Sequence, residues 1–522
     1  MDSEMLHPRR FARSAPDHPA VIMGRTGETI TYRMLDEQAN RLAHLLRARG
    51  LAPGDHLAIV SETTPQSLPV LWAAQLAGLI HTPINHHLAP AEIQHVLDDC
   101  GAAAVVVSDR TAPAVADLDL GRVPVRLTTG DAEVGIFEAV ADAAAAMPTT
   151  PIPDEGEGRE MVYSGGTTGR PKGIRKPVAQ SAIGDPDNPA VQTARAMAGY
   201  GIDHTSVYLS PAPLYHSAPL VFCMSVHRVG GTVVLMERFD PAECLRLIGR
   251  HRVTHAQFVP TMFSRMLKLP DSVRAQADLS SLRLAIHAAA PCPVEVKRQM
   301  IEWWGPILFE YYAGTEDIGH SAITSEDWLA HPGSVGRPLS PVHIVGPDGN
   351  ELPTGEIGVV YFEGGRDFRY HNDDERTAAA THPQGWRTLG DIGRLDDEGY
   401  LYLTDRVAHT IISGGVNIYP QEIEDVLILH PDVADVAVVG VPNDDLGEEV
   451  RAVVQLIDPT GASRDTEAAL MAWCAERLAA FKCPRAVDFD PSLPRDPNGK
   501  LMKRLLRDRY WSSDSESRIV SG

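Results

Sequence analysis

Residues 163–173 read Tyr-Ser-Gly-Gly-Thr-Thr-Gly-Arg-Pro-Lys-Gly, and the rest of the chain is organised around them. A short apolar stretch, Met161-Val162-Tyr163, leads in, and Gly173-Ile174-Arg175-Lys176 leads out as extended chain. Ser164, Gly165, Gly166, Thr167, Thr168, Gly169 and Lys172 offer backbone N–H groups, hydroxyl donors and one ammonium to a single concavity, which is what a polyphosphate requires. It is not a Walker A loop, because Gly-Lys-Ser/Thr is absent and no amphipathic helix follows. The bland alternative is a Gly/Ser/Thr-rich surface loop. The ordered run through Pro171-Lys172-Gly173 is too detailed for that, and the stretch is taken as a phosphate site.

Upstream, Thr31 opens an amphipathic pattern with Leu35, Leu42, Leu45 and Leu46 on one face and Gly50 after its end, which predicts a capped helix. A strand at Leu57–Val60, helices around Leu71–Leu76 and Ile93–Leu97, and a strand at Val105–Val107 follow. Downstream, Val207–Leu209, Thr232–Met236, His255–Val259 and Leu284–Ile286 are further strand candidates. This alternation predicts an α/β fold, parallel sheet covered by helices. Residues 110–158 are Ala/Pro/Asp-rich and uninformative, and 177–200 reads as a surface excursion before a helix. After about residue 404 the pattern changes to a compact α+β unit: a helix from Tyr419-Pro420, strands at Val436–Val441 and Val450–Leu456, and a helix with Leu470, Trp473 and Leu478. The expected organisation is a large domain over 1–404, a hinge at 405–409 and a small domain over 410–522.

The totals exclude several classes. At 522 residues, two to four domains are expected. The net charge of −22 argues against a nucleic-acid-binding protein, although a small anionic ligand needs only local positive charge. No apolar run is long enough for a membrane span, and the N-terminal residues do not read as a signal peptide. Six cysteines without C-x-x-C spacing fit reduced thiols in a cytoplasmic protein, and the histidines show no zinc spacing.

Five further stretches fall in the order of one family. Pro213-Leu214-Tyr215-His216-Ser217, Ala288-Ala289-Ala290-Pro291, Glu310-Tyr311-Tyr312-Ala313-Gly314-Thr315-Glu316, Gly385 to Asp391, and Asp405-Arg406 with Ser413-Gly414-Gly415 precede a C-terminal Pro494-Arg495-Asp496-Pro497-Asn498-Gly499-Lys500. Together with the loop, they resemble the adenylate-forming superfamily of acyl-CoA synthetases, adenylation domains and luciferase, over nearly the whole chain. The resemblance implies a role for each. His216 gates the acyl pocket; Ala289, Ala290 and Pro291 let the backbone pass the nucleotide; Glu310, Tyr311, Tyr312 and Ala313 belong to the nucleotide set, with Tyr312 stacked on adenine. Thr315 reaches the α-phosphate, and Thr168 and Glu316 help hold Mg²⁺. Asp391 and Arg406 bind ribose, Gly414 and Gly415 line the pantetheine passage, and Lys500 catalyses the first half-reaction. Two departures stand out: Ala313 where the family usually has Gly, and Ala408-His409 where it has an acidic or basic pivot followed by Asp.

The implied reaction joins a carboxylic acid to ATP and then to coenzyme A through an acyl-adenylate. Loading of an acyl-carrier protein in trans, a non-catalytic acyl- or nucleotide-binding relative, and a homodimer stay open. Phe222, Phe258, Thr261, Met262, Ala288 and Gly314 are the expected acyl-pocket residues. No basic residue stands out among them, which favours a hydrophobic monocarboxylate (fatty, aryl or ring-bearing) over a dicarboxylate.

Overall fold

The computed structural model describes residues 5–164, 171–176, 182–187, 190–365, 367–495 and 501–511. Its architecture follows from where the apolar runs lie. Ala102–Val107 and His255–Phe258 are buried along almost their whole length, so both faces need cover, and helices supply it. Among the described residues the strands form sheets of thirteen, six, five and three strands. The six-stranded sheet is wholly parallel, with His56–Val60 between Ile80–Ile84 and Ala102–Val107. The uninformative 110–158 stretch completes it, through Val125–Thr128 and Glu138–Ala139.

The thirteen-stranded sheet changes character part-way. Pro19–Met23, Thr232–Leu235, Val207–Ser210, His255–Phe258, Leu284–His287 and Leu308–Ala313 run parallel. From His320–Thr324 onward the neighbours are antiparallel. Ligands of open α/β sheets lie beyond the carboxyl ends of parallel strands, and three of the sequence motifs sit there, after Ser210, His287 and Ala313.

The helix expected after Thr31 runs from Tyr32 to Ala48, its first turn capped by the Thr31 hydroxyl, which accepts from Met34 N. The five-stranded sheet belongs to the smaller C-terminal unit, where Val433–Asn443 pairs with Gly447–Leu456 along most of its length. The helices Pro420–Leu427 and Arg464–Ala475 pack their apolar sides on one face of it, with Ile423, Leu427, Leu470 and Cys474 in one core cluster. All six cysteines are free. No helix among the described residues is long and apolar enough to cross a membrane.

Candidate active site

A cavity of about 1220 Å³ opens at the carboxyl ends of those strands. The phosphate loop is framed by a hairpin in which Lys172 pairs with Ser164 and Gly173 with Tyr163; a third short strand, Arg369–Tyr370, pairs with Ile174 and Arg175. The Tyr163 hydroxyl donates to Asp99 at 2.6 Å, fixing the entering strand. Lys172 lines the cavity. Gly165, Gly166, Thr167, Thr168 and Gly169 lie outside the described residues, as does Lys500.

Leu308–Ala313 sorts its motif by alternation. Successive strand residues face opposite sides, and here Tyr311 and Ala313 line the cavity while Glu310 and Tyr312 do not. Glu310 points into the core, 2.5 Å from Lys297 Nζ, with both side chains almost fully buried. Lys297 also lies 4.8 Å from the Trp328 ring centroid. The Tyr312 hydroxyl donates to Asp391 Oδ2 at 2.5 Å. Beyond the strand the chain turns into the cavity, and Gly314, Thr315 and Glu316 all line it. A Cβ at Gly314 would sit 2.5 Å from Leu389 Cδ2 and 2.7 Å from Glu316 Oε2, so any larger residue would displace those two side chains. The Glu316 carboxylate accepts from the Tyr370 hydroxyl at 2.9 Å, which ties the metal-binding candidate to the strand beside the phosphate loop.

Ala288 and Ala289 also line the cavity. Ala289 has φ of +76°, a conformation costly for a residue with a Cβ. Ala290 and Pro291 follow without lining it. His216 sits at the N-terminal end of the helix Ser217–Val229, in the cavity wall beside Tyr215, whose ring centroid is 4.7 Å away.

Asp391 and Arg406 are brought together by register, because they are direct partners across the antiparallel strands Arg387–Leu395 and Leu401–Arg406. Arg406 Nε lies 2.8 Å from Asp391 Oδ1, and that carboxylate holds the guanidinium above its ordinary pKa. Arg406 lines the cavity. At the next residues, His409 Nδ1 is 3.4 Å from Asp405 Oδ1. Asp405 also accepts from Arg406 N and Gln421 N. Burial would raise Asp405, but His409, Lys503 and these backbone donors hold it below the usual carboxylate range. The Ala408-His409 departure therefore leaves an anchored segment, with His409 tied to the residue before Arg406.

Gly414 and Gly415, with φ of +58° and +81°, form the two-residue turn between Ile411–Ser413 and Val416–Ile418. Two successive positive φ values are what a type I′ hairpin demands, which explains the glycines without a ligand. They do not line the cavity. The flanks of the C-terminal lysine segment do: Arg495 and Leu501–Leu505 line the same cavity as Thr315, Glu316 and Arg406. Arg495 and Leu501 form a β-bridge, and Arg495 is gripped by Asp435 through two contacts of 2.5 and 2.6 Å. Lys268, from the large part of the chain, donates to the Val433 and Ala434 carbonyls at 2.6 and 3.2 Å. Lys503 is paired with Glu424 at 2.8 Å, Lys482 with Glu422 and Arg507 with Glu448. Those cations already have partners within the small unit.

The cavity lining differs from the expected acyl-pocket set in two respects. Phe222, Ala288 and Gly314 line the cavity, but Phe258 and Met262 are buried in a separate core cluster around Phe263 and Trp304, and Thr261 does not reach it either. Basic residues do line the cavity beside Phe222: Arg228, on the same helix, and Arg195, on the helix Val191–Ala198. Arg195 was hidden in a segment whose Pro, Asp and Asn content reads as surface loop.

The geometry gathers Lys172, a cavity-facing Thr-Glu pair, Arg406 with its strand partner Asp391 behind it, and a C-terminal arm around one space. Residues 8–368 match the family described as AMP-binding enzyme, and residues 422–500 match the AMP-binding enzyme C-terminal domain. The chain belongs to this family of adenylate-forming enzymes. It is 34% identical to the feruloyl-CoA synthase of an Amycolatopsis species (96% of this chain, 98% of that one) and 32% identical to the long-chain-fatty-acid–CoA ligase FadD13 of Mycobacterium tuberculosis (96% and 97%). The crystal structure of ATP-bound MatB from Rhodopseudomonas palustris superposes with a TM-score of 0.80 at 29% identity, covering 97% of this chain and 99% of that one. Within the family the chain falls among the AMP-forming acid–CoA ligases.

Proposed function

We propose that the protein activates a hydrophobic monocarboxylic acid (fatty, aryl or ring-bearing) in two steps within this cavity. The carboxylate attacks the α-phosphorus of ATP, pyrophosphate leaves, and the resulting acyl-adenylate is opened by the thiol of coenzyme A with release of AMP. The observation that carries the reading is the convergence of Lys172, Thr315, Glu316 and Arg406 with the flanks of the Lys500 segment on one cavity. Neither step needs a protein nucleophile, so positioning and charge complementarity do the catalysis.

In this reading Lys172 and the loop residues hold the departing pyrophosphate, Thr315 donates to the α-phosphate, and Lys500 offsets the repulsion between two approaching anions. Asp391 already accepts from Tyr312 and Arg406, yet a carboxylate has about four lone-pair sites, which leaves room for ribose hydroxyls. Among the described residues no group of three or more His, Cys, Asp or Glu is arranged for a metal ion. Glu316, a carboxylate lining the cavity, would hold Mg²⁺, which typically takes one or two carboxylates beside phosphate oxygens and waters. Bound there, the ion would neutralise phosphate charge.

The hinge at 405–409 then lets the small unit swing, withdrawing Lys500 and bringing Gly414-Gly415 toward the cavity. A cytoplasmic setting is part of the proposal, supported by the six free thiols. The deciding experiment is acid-dependent pyrophosphate release by the purified protein, followed by a search for the CoA thioester. Adenylate formed without CoA transfer, and captured instead by carrier-protein pantetheine, would reassign the acceptor. No release with any acid would sink the ligase reading.

A further inference from the structure

The acyl end of the cavity carries polar groups that a hydrocarbon substrate would leave unsatisfied. The helix Ser217–Val229 gives the cavity a ruler, since Ala218, Val221, Phe222, Ser225 and Arg228 recur at three- and four-residue spacing and all line it. At 1.5 Å per residue, Ser225 lies roughly 12 Å and Arg228 roughly 16 Å along the axis from Ser217. The shallow part of that stripe is apolar. The deep part is closed by satisfied polar pairs: Ser225 shares a hydrogen bond with Thr193 at 3.3 Å, and Glu157 holds Arg228 through contacts of 3.0 and 2.9 Å. A long aliphatic tail would have to run against these pairs and could not replace their partners.

Beside the apolar part, two groups face the cavity without full partners. His320 is 7% exposed and lines the cavity, and its buried Nδ1 has no hydrogen-bond partner among the described residues. A buried polar group in that condition is costly unless something satisfies it. Its ring stacks on Tyr311 at 5.5 Å, and Tyr311 is itself partnered, its oxygen accepting from Gln257 Nε2 at 2.8 Å. Arg195 presents five N–H donors, and among the described residues its one side-chain partner is Asp317, 3.5 Å from Nη1.

We infer that, granted the ligase reading above, the acyl substrate is a ring-bearing acid with a hydroxyl or carbonyl oxygen remote from its carboxylate, bound by Arg195 and His320. Phe222 and Tyr311 stack on each other with centroids 6.3 Å apart, and both line the cavity, giving it an aromatic wall that suits a ring. Asp317 beside Arg195 offsets the positive charge and disfavours a second carboxylate, whereas a neutral oxygen accepts from guanidinium without that conflict. Burial, reinforced by Arg195, lowers the His320 pKa to about 4, so at neutral pH the ring acts as a hydrogen-bonding group rather than a cation.

The test compares kcat/KM for pyrophosphate release with 3-phenylpropanoate, its 3-hydroxy, 4-hydroxy and 4-acetyl ring derivatives, its 4-carboxy derivative, and dodecanoate. A site built to satisfy a substrate oxygen rejects the analogue lacking it, so the best neutral oxygenated acid should exceed phenylpropanoate by at least about 100-fold. Arg195→Leu and His320→Val should each narrow that ratio at least tenfold, through KM more than kcat. Should either variant fail to fold, the wild-type panel decides alone. Equal use of phenylpropanoate, or preference for dodecanoate or the 4-carboxy acid, overturns the inference and leaves the ligase reading standing. Silence with every acid removes the ligase reading and the inference with it.

Discussion

Glu310 and Glu316 lie six residues apart at either end of one motif, and they have opposite fates. Glu310 sits within a strand and points to its covered face, where Lys297 neutralises it in a dry core. Glu316 sits past the strand's end, in the cavity wall, held by one tyrosine hydroxyl with acceptor capacity to spare. The same side chain is thus packed in one place and open to the cavity in the other, and what separates them is position relative to the strand's carboxyl end. A buried pair is costly to break, whereas a cavity carboxylate is free to meet a ligand.

Breaking the core pair should have the largest effect. Lys297→Met leaves Glu310 buried without its counter-charge and should cost about 3–5 kcal/mol of stability, read by denaturant unfolding. Lys297→Met with Glu310→Leu should recover most of that loss; no recovery would show that the pair does more than satisfy itself. On the cavity side, Lys500→Ala should lower acid-dependent ATP–pyrophosphate exchange by about 10²–10³-fold and leave the melting temperature unchanged. Thioester formation from supplied acyl-adenylate should persist, and equal loss of both half-reactions would reverse the division of labour between Lys172 and Lys500. Glu316→Gln should likewise lower exchange while sparing stability, in direct contrast to the Lys297 variant.

A smaller effect is expected from pH. Burial lowers the pKa values of His56, His81, His86, His227 and His320 to about 4. Between about pH 4 and the unfolded value near 6.5, the unfolded chain binds these protons and the folded chain does not. Stability is therefore complete above 6.5 and falls as pH drops toward 4, which melting curves across that range will show; a flat profile would contradict the burial of these rings. The smallest change is Ala289→Gly. Relieving a positive φ should gain roughly 0.5–1 kcal/mol, with activity retained because the backbone path is unchanged.

Much of this was legible in the residues. Periodicity located the strands 56–60, 102–107, 207–210 and 284–287 to within a residue or three, since each is a short apolar run between turn signals. Strand order was not legible, because parallel neighbours are joined by long crossovers and nothing local shows that Pro19–Met23 pairs with Thr232–Leu235. Residues 310–313 form one block of the motif, and the pleat divides it, sending Tyr311 and Ala313 one way and Glu310 and Tyr312 the other. Arg195 escaped notice because it sits on an eight-residue helix, too short to show a clear period behind a Pro- and Asp-rich lead. The glycines at 414 and 415 were visible, but a turn and a passage require the same residue type, and only the φ angles reveal the turn.

The grip of Asp435 on Arg495 has a mechanical corollary. Val433 and Ala434 receive the ammonium of Lys268, and the very next residue clamps the arm that precedes Lys500. Mooring and outrigger thus share one cleat: three consecutive residues fasten the small unit to the large one and fasten the arm to the small unit. Clamped at Arg495, the arm would travel with the small unit in the proposed swing.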